Sequence, residues 1–233
     1  MMPRDGDMSS LVHRVARQAL VTFTARAHEE AKAFTEKHGE LRRLMTEVRA
    51  ADLRLVPRRR GATPEPGAPP VTYMHICETE RFSMGVFLLR SGASIPLHDH
   101  PGMHGLLKVL YGTARISCFD RLERPRAPAQ LGALRRAVLR SVAEFTEESG
   151  ACVLFPEQDN LHQIDAVDGP TAFMDVLAPP YEPDQGRDCH YYRLMTAPGP
   201  GPQEVTLMEI PQPPEFWCGS EPYPGPRVCV GAL

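Results

Sequence analysis

The chain has 233 residues, with 26 basic and 29 acidic side chains and a formal net charge of −3. This near-neutral charge argues against a nucleic-acid partner, because such proteins usually carry a clustered basic surface. The longest apolar run, around 86–89, is far shorter than the ~20 residues that span a bilayer, so no membrane span is expected.

Residues 1–60 are predicted to form an N-terminal helical extension. Ser9 and Ser10 occupy a helix-capping position, and Pro57 is expected to end the second helix. A Pro/Gly-rich link, residues 61–70, follows. Apolar side chains recur at helical spacing in two segments, at Val12, Val15, Ala16, Ala19 and Phe23 and again at Leu41, Leu44, Met45 and Val48.

Residues 71–196 are predicted to form an all-β barrel. Short apolar or alternating segments are separated by Gly, Pro, Asp or Asn, which is typical of an antiparallel sandwich or barrel. Residues 120–137 are expected to be a surface loop. The Pro-rich segment 197–233, with one strand at 205–210, is expected to pack on the barrel. The predicted strands within the barrel are 71–77, 82–89, 106–110, 114–119, 152–155, 161–167, 171–177 and 190–194.

The location is predicted from the start of the chain and from its cysteines. Asp5 and Asp7 stand where a secretory signal would need an apolar core. The six cysteines show no CxxC pair, so reduced thiols are expected. We therefore expect a cytoplasmic protein, with the nucleus as an alternative.

The densest group of candidate functional residues lies in segment 92–105. His98 and His100 are two residues apart, so on a strand their imidazoles project from the same face. Imidazole suits iron, zinc, copper or nickel, and the pair therefore predicts a metal site inside the barrel. Asp99 would point to the opposite face, where a structural hydrogen bond is expected.

This segment, Gly92-x5-His98-x-His100 with Gly112 downstream, resembles the first metal motif of the cupin superfamily. The stretch from Gly150 to His162 is similar to the second motif, although its Pro-to-His spacing is one residue longer. The resemblance implies a cupin double-stranded β-helix, or jelly-roll barrel, whose metal triad is His98, His100 and His162.

The expected carboxylate ligand of many metal cupins is missing from this motif. The positions four and five residues after His100 hold His104 and Gly105, and neither is a carboxylate. A site of three histidines resembles the thiol dioxygenases among the cupins. His104 either orients a metal ligand from behind or packs at the strand end, and the sequence leaves both interpretations open.

Five long sequence blocks lie at residues 69–76, 94–105, 159–167, 186–192 and 221–226. Together they resemble the 2-aminoethanethiol (cysteamine) dioxygenase family. That family implies one Fe(II) per chain, O2 as co-substrate, and oxidation of a thiol to a sulfinic acid. The implied substrates are cysteamine, which gives hypotaurine, and the N-terminal cysteine of peptides or proteins, whose oxidation feeds an oxygen-dependent degradation pathway.

Four further residues are candidates for the site. Asp175 is an acid within an apolar strand and needs a partner, either a substrate ammonium or a protein donor. Tyr73 either lines the pocket or packs in the core. Cys189 and Tyr191 would share a strand face, and the family resemblance implies that they can form a thioether cross-link near the iron.

Two other classes of function stay open at this point. A metal cupin acting on carbon substrates would show activity without thiols. A non-catalytic cupin would act as a binding module with weak or absent metal. The lack of an evident apolar docking stripe, together with family analogy, predicts a monomer.

Overall fold

The computed structural model describes residues 10–24, 31–59, 61, 67–122, 131–195 and 204–231. Residues 62–66 of the predicted link and 123–130 of the predicted loop at 120–137 lie outside these residues. Among the described helices, none combines the length and apolarity that a membrane crossing requires.

Among the described residues, the N-terminal extension contains two α-helices: α1 spans Leu11–Phe23 and α2 spans Ala31–Glu47. Ser10 caps α1, because its hydroxyl accepts a hydrogen bond from the His13 amide at 3.2 Å. The prediction that Pro57 ends the second helix is wrong. A 3-10 turn, Ala50–Leu53, follows α2, and the left-handed backbone of Arg54 (φ 52°) reverses the chain before the proline.

In the part of the chain that the structure describes, ten strands form one sheet. Six of them, β7, β3, β8, β9, β5 and β4, form a closed ring because β4 also pairs with β7. This closure confirms the prediction of a jelly-roll barrel with an N-terminal helical extension. The strands are β1 Val71–Glu78, β2 Ser83–Leu89, β3 Ser94–Asp99, β4 His104–Arg121, β5 Leu134–Phe145, β6 Cys152–Leu154, β7 Leu161–Ala178, β8 Tyr191–Leu194, β9 Glu204–Ile210 and β10 Cys218–Ser220.

The long strands β4 and β7 each replace two predicted strands. In β4 the pairing with β7 shifts on both sides of Tyr111, and Gly112 adopts φ 77°. A side chain at Gly112 would place its Cβ 2.4 Å from the Pro170 carbonyl oxygen. The glycine therefore lets the strand bend without ending.

The sequence prediction missed β5, and the loop prediction is wrong for residues 134–137, which belong to it. Most side chains of β5 are exposed. Ala137 is buried, and Leu139 and Phe145 are partly buried against the core clusters. A strand that is solvated on most of its length carries no apolar period, which explains the omission.

The helices pack against the outside of the barrel. Val15 of α1 and Met45 of α2 join the same apolar cluster as Met174 and Val176 of β7. Because side chains alternate along a strand, the intervening Asp175 points into the barrel. The C-terminal segment completes the sheet: β9 lies between β8 and β5, and β10 pairs with β1.

Candidate metal centre

Three buried histidines converge inside the barrel. His98 and His100 lie on β3, and His162 lies on β7 directly opposite His98. Their candidate ligand nitrogens all lie within 4.8 Å of one another. His100 Nε2 and His162 Nε2 lie 3.1 Å apart. The strand register thus brings together the three residues that the motifs select.

The hydrogen bonds of the first two rings indicate which nitrogens are free. His98 Nδ1 lies 2.8 Å from the Pro96 carbonyl oxygen, which can only accept, so this nitrogen donates. The Tyr181 hydroxyl donates to the Asp99 carbonyl oxygen at 2.8 Å and accepts from His100 Nδ1 at 2.7 Å. Both rings therefore leave Nε2 unprotonated, which is the ligand form.

Burial keeps the histidines neutral. It lowers the pKa of His98, and it lowers the pKa of both His100 and His162 well below the ordinary value, helped by the neighbouring histidines. Two ligands about 2.0–2.1 Å from a shared ion lie roughly 3 Å apart, which matches the Nε2 separation of His100 and His162. The donor set fits a divalent transition metal held by three neutral imidazoles.

A cavity of about 280 Å³ opens beside the histidines. Its walls are mostly apolar and include Ile95, Ile164 and Phe173. Asp175 is its carboxylate, and burial raises the pKa of Asp175 to about 7. Within the described part of the chain, no side chain donates a hydrogen bond to this carboxylate. The cavity therefore offers an unpaired acid to a ligand that carries a positive group.

Cys189 and Tyr191 both line this cavity. The Cys189 thiol lies within hydrogen-bond reach of the hydroxyls of Tyr191 and Tyr181, and burial raises the pKa of the thiol to about 12. Burial also raises the pKa of Tyr191. The thiol and the phenol are therefore neutral neighbours. Their thioether cross-link stays a prediction.

Tyr73 and His104 are two candidates whose rings make packing contacts. Burial raises the pKa of Tyr73, and the charge of the nearby Asp175 adds to this rise. The Tyr73 ring covers Gly85, so a Cβ added to Gly85 would come within 2.2 Å of the ring. The centroids of the Tyr73 and Phe87 rings lie 4.9 Å apart. His104 packs against Phe23 and Phe34 of the helical extension. Neither residue is among those lining the cavity, so the packing alternatives describe their observed positions.

Sequence reasoning missed Tyr181, which contacts both the His100 ring and the Cys189 thiol. It follows Pro179 and Pro180 in the turn after β7. A sequence cannot place such a turn residue, because its location depends on how the chain folds back across the barrel mouth. An aromatic residue after two prolines was the available signal.

The jelly-roll barrel and its three converging histidines place this chain among the metal-binding cupins. The PCO_ADO family model matches residues 44–228 of this chain. The chain is 54% identical to 2-aminoethanethiol dioxygenase of Mus musculus and 52% identical to that of Homo sapiens, over 97% of this chain and 99% of each relative. It is 35% identical to plant cysteine oxidase 1 of Arabidopsis thaliana, over 67% of this chain and 55% of that relative.

The chain belongs to the PCO_ADO family. Its relatives are dioxygenases by name, and they confirm the interpretation of the chain as a cupin-type thiol dioxygenase. They do not favour a metal cupin acting on carbon substrates or a non-catalytic binding module.

Proposed function

We propose that this chain uses Fe(II) and O2 to oxidise aminothiols to sulfinic acids, with cysteamine and the N-terminal cysteine of peptides or proteins as substrates. The observation that carries the proposal is the pairing of three neutral histidines with one unpaired carboxylate in a single cavity. Cysteamine and an N-terminal cysteine share a thiol two carbons from an amine, so one cavity can accept both.

His98, His100 and His162 would hold the iron, and their neutrality leaves its full positive charge available to attract a thiolate. Bound Fe(II) would supply the place where thiol and O2 exchange electrons. The thiol provides every electron that O2 takes up, and both oxygen atoms end on sulfur. No oxoacid or nicotinamide co-substrate is therefore needed.

The amine is assigned to Asp175. A substrate ammonium would favour the ionised carboxylate and would lower its raised pKa, because an opposite charge stabilises the anion. The apolar walls formed by Ile95, Ile164 and Phe173 keep water from the reacting thiol. The hydroxyl of Tyr181 holds the His100 ring in its ligand tautomer.

The test follows O2 uptake and product mass with cysteamine, free cysteine and a peptide that begins with cysteine, using iron-loaded protein. We expect stoichiometric iron and sulfinate from cysteamine or the peptide, with little from free cysteine. N-acetylcysteamine, which has the thiol but no charge, is the matched substrate control. Equal rates with and without the ammonium would overturn the role of Asp175.

The rival functions predict different outcomes in the same experiment. Iron without oxidation of any thiol would reject the proposed reaction and favour a cupin acting on carbon substrates. Weak or absent metal with retained partner binding would favour a binding module. His100→Ala separates an enzyme from a binding module. An enzyme would lose its iron and its turnover, whereas a module would keep its partner binding.

We also propose that the protein works as a cytoplasmic or nuclear monomer and senses oxygen by oxidising N-terminal cysteines. The similarity to a plant cysteine oxidase supports the peptide substrate. Light scattering of the purified chain tests the monomer, and fractionation of cells tests the location. The O2 concentration at half-maximal rate tests oxygen sensing, which requires a rate that still varies across physiological O2 levels.

A further inference from the structure

Asp99 stands between two metal ligands in sequence, but its side chain lies on the other face of β3. It is completely buried. Oδ1 accepts from the His190 amide at 2.9 Å and lies 3.1 Å from the His190 ring nitrogen Nδ1. Oδ2 accepts from the Tyr192 hydroxyl at 3.0 Å and from the guanidinium of Arg121. The carboxylate therefore holds residues on both sides of Tyr191.

The main chain of Asp99 holds the same region. Its amide donates to the His190 carbonyl oxygen at 3.1 Å, and its carbonyl oxygen accepts from Tyr181 at 2.8 Å. Every polar atom of Asp99 thus contacts residues between Tyr181 and Tyr192 or Arg121. So many hydrogen bonds from one residue indicate that Asp99 anchors this region of the chain.

The strand pairing by itself is weak at this place. Among the described residues, β3 and β8 pair at one position, His98 with Tyr191. Residues 188–192 are here named the tyrosine segment. β9 pairs with Tyr191 and Tyr192 of this segment, but residues 188–190 lie outside both ladders. The carboxylate of Asp99 adds the bonds that the ladders lack, and this segment carries Cys189 and Tyr191 into the cavity wall.

The charges around Asp99 agree with this role. The buried carboxylate of Asp99 accepts hydrogen bonds from the guanidinium of Arg121 and from the amide of His190. The Arg121 guanidinium also lies 5.4 Å from the centroid of the Tyr192 ring. The buried negative charge of Asp99 is thus stabilised by Arg121 of β4 on one side and by the hydrogen-bond donors of the tyrosine segment on the other.

We propose that Asp99 is a positioning residue whose carboxylate fixes the tyrosine segment, so that Cys189 and Tyr191 form the cavity wall beside the three histidines. Asp99 touches neither substrate nor metal through its side chain. It acts on the reaction through the two residues that the anchored segment presents.

Asp99→Asn tests the proposal in full-length protein prepared without iron, so that Cys189 keeps a free thiol. The measurement is the alkylation rate of each cysteine with N-ethylmaleimide, read by peptide mass spectrometry. We expect Cys189 to react at least ~10-fold faster than in the wild type, because its burial depends on the anchor. Cys118, buried elsewhere in the barrel, should keep its rate and serves as the reference for global opening.

Two further variants complete the test. Asp165→Asn removes a carboxylate that joins β7 to β3 through Ser94, and it should leave the Cys189 rate unchanged. His190→Ala removes one ring contact and keeps the buried Asp99–Arg121 pair, so it tests the anchor if Asp99→Asn does not fold. It should raise the Cys189 rate by a smaller factor, about 3-fold.

The iron content of Asp99→Asn after anaerobic loading is the second readout, and it should match the wild type. Unchanged alkylation of Cys189 would overturn the proposal. Equal acceleration at Cys189 and Cys118 would show general loosening and would also overturn it. Loss of iron without faster alkylation of Cys189 would show that Asp99 supports the metal ligands of β3 and does not fix the tyrosine segment, which would also overturn the proposal.

Discussion

Replacing Asp175 with Asn should change how the stability of the metal-free protein depends on pH. The pKa of Asp175 is raised to about 7 in the folded chain, against an ordinary value of 3.8, because burial disfavours its charge. Between these values the folded chain binds more protons than the unfolded chain, so stability falls as pH rises through this window. The interval corresponds to about 4 kcal/mol, at about 1.36 kcal/mol for each pH unit.

This figure is an upper limit, because Asp175 retains accessible surface in the cavity and water there screens its charge. Asn cannot ionise, so the Asp175→Asn variant escapes the loss. Urea unfolding between pH 4 and 8 should show a difference that grows with pH in favour of the variant, by about 2–4 kcal/mol above pH 7. Metal must be absent, since a bound cation would favour the ionised carboxylate.

In the same urea assay, the stability difference between Asp99→Asn and the wild type should depend on pH in the opposite direction. The pKa of Asp99 is lowered in the folded state, so its contribution is present above the ordinary carboxyl pKa and is lost as pH falls. The loss in free energy of unfolding caused by Asp99→Asn should therefore be largest near neutral pH and should become smaller in acid. A pH-independent difference for Asp175→Asn would refute the reasoning that an unpaired carboxylate is buried in the cavity.

Three more predictions follow from contacts of the fold and the site. His100→Ala should reduce bound iron from one per chain to background, measured by elemental analysis, while far-ultraviolet circular dichroism stays unchanged. Lys108→Met should lower the free energy of unfolding by about 1–3 kcal/mol in urea titrations, because Lys108 is fully buried and donates to two carbonyl oxygens of the 147–149 turn. Gly112→Ala should cost at least about 1 kcal/mol by the same measurement, because its φ of 77° and the nearby Pro170 carbonyl oxygen leave no room for a Cβ. Unchanged unfolding midpoints in the last two variants would contradict the assigned contacts.

The sequence was most informative where local spacing determines geometry. His98 and His100 share a face because a strand alternates, so their convergence could be read from two positions. Asp175 could be recognised as an acid within an apolar strand. These inferences need only the period of a strand and the cost of burying a charge.

Other features depend on contacts between distant segments, and no local pattern encodes them. Tyr181 reaches His100 from a turn some eighty positions along the chain. The sequence could not decide whether His104 orients a metal ligand or packs at the strand end, because the answer depends on the helices that pack against β4. The solvated strand β5 lacked an apolar period, and the bend at Gly112 joined two predicted strands into one.

The pairing of β3 with β7 has a consequence for the order of assembly. His100 and His162 are 62 residues apart in the chain, and their meeting requires a long loop to close. During synthesis, the third ligand cannot arrive until β7 has been made and has paired across the barrel. Metal capture is thus coupled to completed folding, and a metal that binds only the folded chain stabilises it by mass action. Newly made protein in iron-poor cells should accordingly be degraded faster than protein made with iron present.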